Sequence, residues 1–195
     1  MKKIGLTGGI ASGKSLISGY FKTENVIVLD ADKIYKNLLK TNKILYNEIK
    51  EEFNLEELDL TILSEIVFND QLKLNRLNEI THPFVMNVFT EELDKLEKTE
   101  KLVVLDIPLL YEAKMKSFCD EIICVYIDEK IQLERLIKRN KLSTEEALKR
   151  INSQMPLSKK SKMSKYVIDN SGDKESTYLQ FQRIYQKIKE SIKCH

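Results

Sequence analysis

The chain has 195 residues, 42% of them hydrophobic and 32% charged, with a formal net charge of only +2. That length suits one α/β core with an inserted subdomain, and the composition is that of a globular chain rather than a disordered one. Near balance of acids and bases removes any global electrostatic case for nucleic acid, and no apolar run approaches the length of a membrane span.

Three cysteines, Cys119, Cys124 and Cys194, contain no C-x-x-C pair. This argues against a disulfide framework or a zinc site and for a reducing compartment. The N-terminus passes at once into an apolar strand, without the basic and long apolar regions of a signal peptide. A cytoplasmic location is the expectation.

The first element is a short strand, Lys3–Leu6, followed by Gly8-Gly9-Ile10-Ala11-Ser12-Gly13-Lys14-Ser15. This fits G-x-x-x-x-G-K-[ST], the phosphate-binding loop, in its required setting between a strand and an apolar helix carrying Ile17, Tyr20 and Phe21. Gly8 and Gly13 can take positive φ and let backbone N–H groups close around phosphate oxygens. The helix that follows points its positive end at the anion. Lys14 is expected at the β- and γ-phosphates and the Ser15 hydroxyl on Mg²⁺. A nucleoside triphosphate is the expected ligand.

A second strand, Val26–Leu29, runs into Asp30-Ala31-Asp32. One Asp is expected to cap the next helix, and the other to stand near the strand end, where a carboxylate can accept a substrate hydroxyl proton. From 34 to 98 no strand is convincing. Helical patterns such as Leu60, Leu63, Val67 and Leu74, Leu77, Ile80 fill a stretch of about 65 residues, too long for a structureless loop, so it reads as a helical insertion. Thr81-His82-Pro83 breaks that pattern, with Pro83 suited to the first turn of a new helix and His82 read as a polar residue at its start.

A third strand ends Leu102-Val103-Val104-Leu105-Asp106, similar to a Walker-B strand whose acid serves Mg²⁺. After a fourth strand, Ile122–Ile127, a helix over Ile131–Lys138 and a second one opened by the capping box Ser143-Thr144-Glu145-Glu146 form a hairpin. The second helix is expected to carry Arg150 and Gln154 and to end at Pro156. Arg135, Arg139 and Arg150 gather near its junction and make it a candidate lid over the γ-phosphate, although a solvated surface with Glu partners explains the same residues. Lys159, Lys160, Lys162 and Lys165 read as a solvated loop, since no aromatic residue accompanies them to stack bases. A fifth strand at Tyr166–Ile168, the turn Asp169-Asn170-Ser171-Gly172 and a terminal helix close the chain. Continuous apolar strands alternating with helices predict a parallel sheet, with ligands at its carboxyl edge.

Taken together, these stretches resemble one family, dephospho-CoA kinase. The carrying segments are Leu6–Ser15, Asp30-Ala31-Asp32, Ile66-Val67-Phe68-Asn69-Asp70, His82-Pro83, Asp106-Ile107-Pro108-Leu109-Leu110-Tyr111-Glu112, Gln132-Leu133-Glu134-Arg135-Leu136, Gln154-Met155-Pro156-Leu157 and Val167–Gly172, all in the family's order. The resemblance implies an α/β P-loop kinase with a parallel five-stranded sheet flanked by helices. Its nucleotide core is expected at 1–33, 99–137 and 163–195, a helical acceptor-binding insertion at 34–98 and a small helical lid at 138–162.

It further implies phosphorylation of the ribose 3′-hydroxyl of dephospho-CoA by ATP, with Mg²⁺, as the last step of coenzyme A biosynthesis. Asp32 matches the general base, Gly8, Gly9, Ala11, Ser12, Gly13, Lys14, Ser15, Leu16 and Asn170 the ATP site, and His82 and Arg139 the acceptor and lid regions. Small molecules are the expected partners, with no nucleic acid and no membrane, for a monomer or small homo-oligomer. Two positions depart from the family's usual pattern: Ala11 stands for Gly and Leu16 for Thr. Another small-molecule P-loop kinase is the nearest alternative. A GTP switch is disfavoured because Asn140-Lys141-Leu142-Ser143 lacks the guanine-reading Asp.

Overall fold

A computed structural model describes Met1–Lys193; Cys194, counted above with the other cysteines, lies outside the described residues. Five strands, β1 (Lys2–Gly8), β2 (Ile27–Asp30), β3 (Leu102–Asp106), β4 (Glu121–Tyr126) and β5 (Tyr166–Asp169), form one sheet in the order β2-β3-β1-β4-β5. β1 pairs in parallel with β3 and β4, and β4 with β5. The five-stranded parallel sheet expected from the apolar runs is therefore present. The chain divides into two compact units, Met1–Leu29 together with the chain from Thr99 on, and Asp30–Lys98.

In the sheet unit the helices are α1 (Lys14–Thr23), α6 (Glu129–Asn140), α7 (Thr144–Asn152), α8 (Leu157–Met163) and α9 (Lys174–Lys193). Alternate β1 residues Ile4 and Leu6, with Val104, Ile123, Val125 and Ile168, pack against Ile17 and Phe21 of α1 and Phe181, Ile184, Tyr185 and Ile188 of α9. Phe21 stands edge-on to Phe181 at 4.9 Å between centroids, and Phe181 stacks on Tyr185 at 5.6 Å. Both are favoured ring geometries, and each fully buried side chain contributes about 1.5–3 kcal/mol. Cys124 is buried with Ile127 and Leu157 in a smaller cluster, as a core cysteine should be. Burial pushes the thiols of Cys119 and Cys124 up to about 12, which leaves them as inert packing groups.

At one sheet end Glu121 accepts from Lys2 at 2.8 Å and from Lys165 at 2.7 Å. Burial alone would raise its carboxyl, but the hydrogen bonds from Lys165 and Lys2 outweigh it and hold the group below the ordinary carboxylate range. A depressed folded pKa contributes stability above the unfolded pKa that is lost as pH falls through the folded one. Glu121→Gln is therefore expected to melt lower than wild type at neutral pH. The gap should close on acidification below pH about 4, and thermal melts across that range check it.

The helical unit holds α2 (Ala31–Thr41), α3 (Lys43–Glu52), α4 (Leu60–Phe68) and α5 (Gln71–Leu96). Asp30, Asn42, Asp59 and Asp70 cap them through side-chain oxygens. Leu38, Leu39, Leu45, Ile49, Leu63, Val67, Val85, Phe89 and Leu93 are among the residues it buries. One expectation fails here: Thr81-His82-Pro83 does not divide two helices. α5 runs 26 residues with Pro83 inside it and His82 in its middle. Proline removes one backbone hydrogen bond, but the stripe Ile80, Thr81, Val85, Phe89 and Leu93 is buried along one face, and tertiary packing carries the helix through.

Two further expectations are corrected in the segment after β4. The capping box is present, Ser143 Oγ accepting from Glu146 N at 3.2 Å and Glu146 Oε2 from Ser143 N at 2.8 Å, but α7 ends at Asn152, before Gln154. The basic run is not a solvated loop. Its first part is α8, started after Pro156, and Leu157 and Lys160, one turn apart, are both buried. Among the described residues no helix is long and apolar enough to cross a membrane.

Candidate active site

The loop after β1 is shaped by two left-handed residues, Ala11 at φ 59° and Gly13 at φ 89°. Gly13 is the N-cap of α1 and no side chain caps that end, so its first-turn N–H groups are suited to receive an anion in the manner of helix N-termini. A Cβ on Gly13 would stand 2.0 Å from Asn170 Nδ2. Gly13→Ala combines this clash with a backbone conformation costing about 1–2 kcal/mol in L-residues. It is expected to abolish measurable ATP binding and lower Tm, as calorimetric titration and melting would report. Ala11 holds the same left-handed backbone without glycine's freedom, so its departure from the family pattern is accommodated at a small strain.

Four side chains from elsewhere in the sheet unit fix this loop. Gln132 of α6 donates from Nε2 to Ile10 O at 2.7 Å, and Gln154 Oε1 accepts from Ile10 N at 2.8 Å. Asn170 donates from Nδ2 to Ser12 O at 2.8 Å and accepts from Thr177 Oγ1 at 3.0 Å. Lys160 of α8, fully buried, reaches Gly8 O at 3.4 Å. Gln132 stood in the sequence only as part of a matched segment, Gln154 was placed on the second hairpin helix without a role, and Lys160 was hidden in the basic run. The local signal for Lys160 was the one-turn spacing from Leu157 behind a helix-starting Pro156.

β1 and β3 are neighbours, Leu6 lying opposite Asp106. Lys14 and Asp106 form an ion pair, the Asp106 side chain 3% exposed. Lys14 at the start of α1 and the acid ending β3 thus meet. Ser15 is exposed on the first turn of α1, and Leu16 N donates to Gly13 O at 2.9 Å. Ser12 is buried and its hydroxyl has no hydrogen-bond partner among the protein groups, an orphan donor inside the loop.

In the helical unit, Asp30 is the residue that caps α2, its Oδ1 accepting from Lys33 N at 3.1 Å, and Asp32 lies in the first turn. The capping role expected for one member of the pair therefore falls to Asp30. Arg135 is half-buried, while Arg139 is exposed and donates from Nε to the neighbouring Asn140 Oδ1 at 2.8 Å; Arg150 is half-buried on α7.

A parallel sheet with a glycine-bounded loop at the start of α1, its lysine paired to an acid ending the adjacent strand, defines a P-loop nucleotide-binding protein of the α/β class. A family model described as dephospho-CoA kinase matches residues 2–176. The dephospho-CoA kinase of Carboxydothermus hydrogenoformans is 44% identical over 193 residues, 95% of this chain and 94% of that one. That of Oceanobacillus iheyensis is 42% identical over 191 residues, 94% of this chain and 96% of that one. A solved dephospho-CoA kinase from Campylobacter jejuni superposes with a TM-score of 0.72 at 28% identity, covering 98% of this chain and 99% of that one. The chain belongs to the dephospho-CoA kinase family, and is an ATP-dependent kinase of coenzyme A biosynthesis.

Proposed function

We propose that the chain transfers the γ-phosphoryl group of ATP to the ribose 3′-hydroxyl of dephospho-CoA, giving CoA and ADP. The observation that carries the reading is the phosphate loop closed by left-handed Gly13, with Lys14 paired to Asp106. Gly8, Gly9, Ala11, Ser12, Gly13, Ser15 and Leu16 shape the phosphate site, and Asn170 holds it through the Ser12 carbonyl. Lys14 exchanges the Asp106 carboxylate for phosphate oxygens when nucleotide enters, placing its ammonium where charge develops. Asp32, relieved of capping by Asp30, takes the proton of the acceptor hydroxyl. His82 serves acceptor binding, and Arg139, with Arg135 and Arg150, serves the closing lid.

The donors near the loop also fit a magnesium ion. Ser15 and Asp106 offer hard oxygens only, and no group of three His, Cys, Asp or Glu residues able to hold a metal is found among the described residues. Mg²⁺ suits such a sparse set because it keeps waters and phosphate oxygens as its other ligands. When bound with ATP it would neutralise charge on the β- and γ-phosphates. In the same reading 1–33, 99–137 and 163–195 form the nucleotide core, 34–98 the acceptor-binding insertion and 138–162 the lid of a cytoplasmic enzyme, monomeric or a small homo-oligomer; the part of 138–162 from Gln154 on is anchored to the phosphate loop and core, so closure falls to the hairpin before it.

The test is ADP release from purified protein with Mg-ATP, with and without dephospho-CoA, against adenosine and AMP as control acceptors. The expected result is release stimulated by dephospho-CoA alone, with the new phosphate at the ribose 3′ position. Stimulation by AMP instead would place the chain among nucleotide kinases and overturn the reading.

A further inference from the structure

Lys160 is the one lysine among the described residues that is completely buried, at 0% exposure. Its ammonium meets three acceptors drawn from three places in the chain. Pro108 O lies at 2.8 Å, Glu112 Oε1 at 2.8 Å and Gly8 O at 3.4 Å. Three N–H donors thus face three acceptors, the full capacity of a lysine head group.

Those acceptors belong to the walls of the phosphate site. Gly8 is the first residue of the phosphate loop. Pro108 stands two residues beyond Asp106 and also accepts from Thr7 Oγ1 at 3.0 Å. Glu112 Oε1 accepts from Met155 N at 2.9 Å as well, so the strand-following segments and the start of α8 are drawn to one point. Peptide planarity makes the Gly8 contact consequential, because holding that carbonyl fixes the plane in which the loop leaves β1.

Burying an ammonium is costly, and an apolar residue of similar volume often serves stability as well or better. What an apolar residue cannot do is hold two carbonyls and a carboxylate in register. We propose that Lys160 is a positioning residue for phosphoryl transfer: its buried ammonium sets the Gly8 end of the phosphate loop against the Pro108 turn that follows Asp106, and so fixes Lys14 and Asp106 relative to each other. It touches no substrate. The inference rests on the reading of the chain as a dephospho-CoA kinase.

Lys160→Met alone leaves the Glu112 charge stranded, so the informative variant is Lys160→Met with Glu112→Gln, which removes both charges together. The assay is ADP release with dephospho-CoA, alongside nucleotide affinity by titration and Tm by melting. Wild-type turnover tests the kinase reading; the ratio of variant to wild type tests this inference. Displacements of about 1 Å can cost about 10²-fold in rate while ground-state binding, spread over several groups, changes little. The expected result is kcat lowered tenfold or more with nucleotide Kd within threefold of wild type. A kcat within twofold of wild type, or an equal loss in kcat and in affinity, would overturn the positioning role. A second measurement needs no variant. In ¹⁵N-lysine-labelled wild type, the Lys160 ammonium is expected as the slowly exchanging side-chain signal, and it should shift when ADP is added. A signal in fast exchange with solvent, or one unmoved by ADP, would also overturn it.

Discussion

Lys14→Ala is expected to lower kcat by at least about 10²–10³-fold in the dephospho-CoA-dependent ADP assay, the scale on which single preorganised charge-stabilising groups act. Phosphoryl transfer asks little covalent chemistry of a protein and much electrostatic positioning, so an ammonium at the transferred group has no substitute among neutral residues. The variant also removes the Lys14 ammonium from its ion pair with Asp106, a carboxylate whose side chain is 3% exposed. A drop in Tm at neutral pH is therefore expected beside the kinetic loss. Lys14→Ala with Asp106→Asn should recover the Tm but not the rate, which separates the two contributions. Near-normal turnover in the folded single variant would remove Lys14 from the mechanism.

Asp32→Asn is expected to lower kcat by about 10²–10⁴-fold, the range of a lost general base, while ATP affinity stays close to wild type. The neighbouring acid supplies the control. Asp30 accepts from Lys33 N and caps α2, so Asp30→Ala should lower stability by about 1 kcal/mol through the lost cap, with kcat largely kept. If the two variants exchanged behaviours, with Asp30→Ala losing rate and Asp32→Asn losing stability, the assignment within the pair would be reversed. Parallel loss of kcat and ATP affinity in Asp32→Asn would make that residue structural.

What could be read in advance was what local physics writes locally. The phosphate loop showed because glycines, lysine and serine hold fixed offsets between an apolar strand and an apolar helix. The capping box at Ser143 and Glu146 showed because its two hydrogen bonds span only three residues. The central strands β1, β3 and β4 showed because a sheet buried on both faces demands continuous apolar runs, whereas the edge strands β2 and β5 are shorter and only partly buried. Lys160 carried only a faint local signal, its one-turn spacing from Leu157. Leu157-Ser158-Lys159-Lys160-Ser161-Lys162-Met163 looks solvated by composition, and only the docking of α8 decides which lysine turns inward. Pro83 misled for a related reason: its penalty is local, whereas the buried stripe that offsets it is set by the packing of the whole helical unit. Gln132 and Gln154 hold the C=O and the N–H of Ile10 from more than a hundred residues away, a relation no window of sequence contains.

The pairing of β1 also dictates an order of events at the ribosome. Lys2 lies opposite Leu102 and Ile4 opposite Glu121, so the first strand made waits about a hundred residues for either neighbour. Closing such a loop is entropically slow, and sheets built from distant partners fold late. The helical unit, which has its own internal contacts over Asp30–Lys98, can condense while β1 is still unpartnered. Asn170, which holds the Ser12 carbonyl, emerges later still. A nascent chain should therefore acquire its nucleotide grip last, and ATP added during translation should protect only nearly full-length chains from protease.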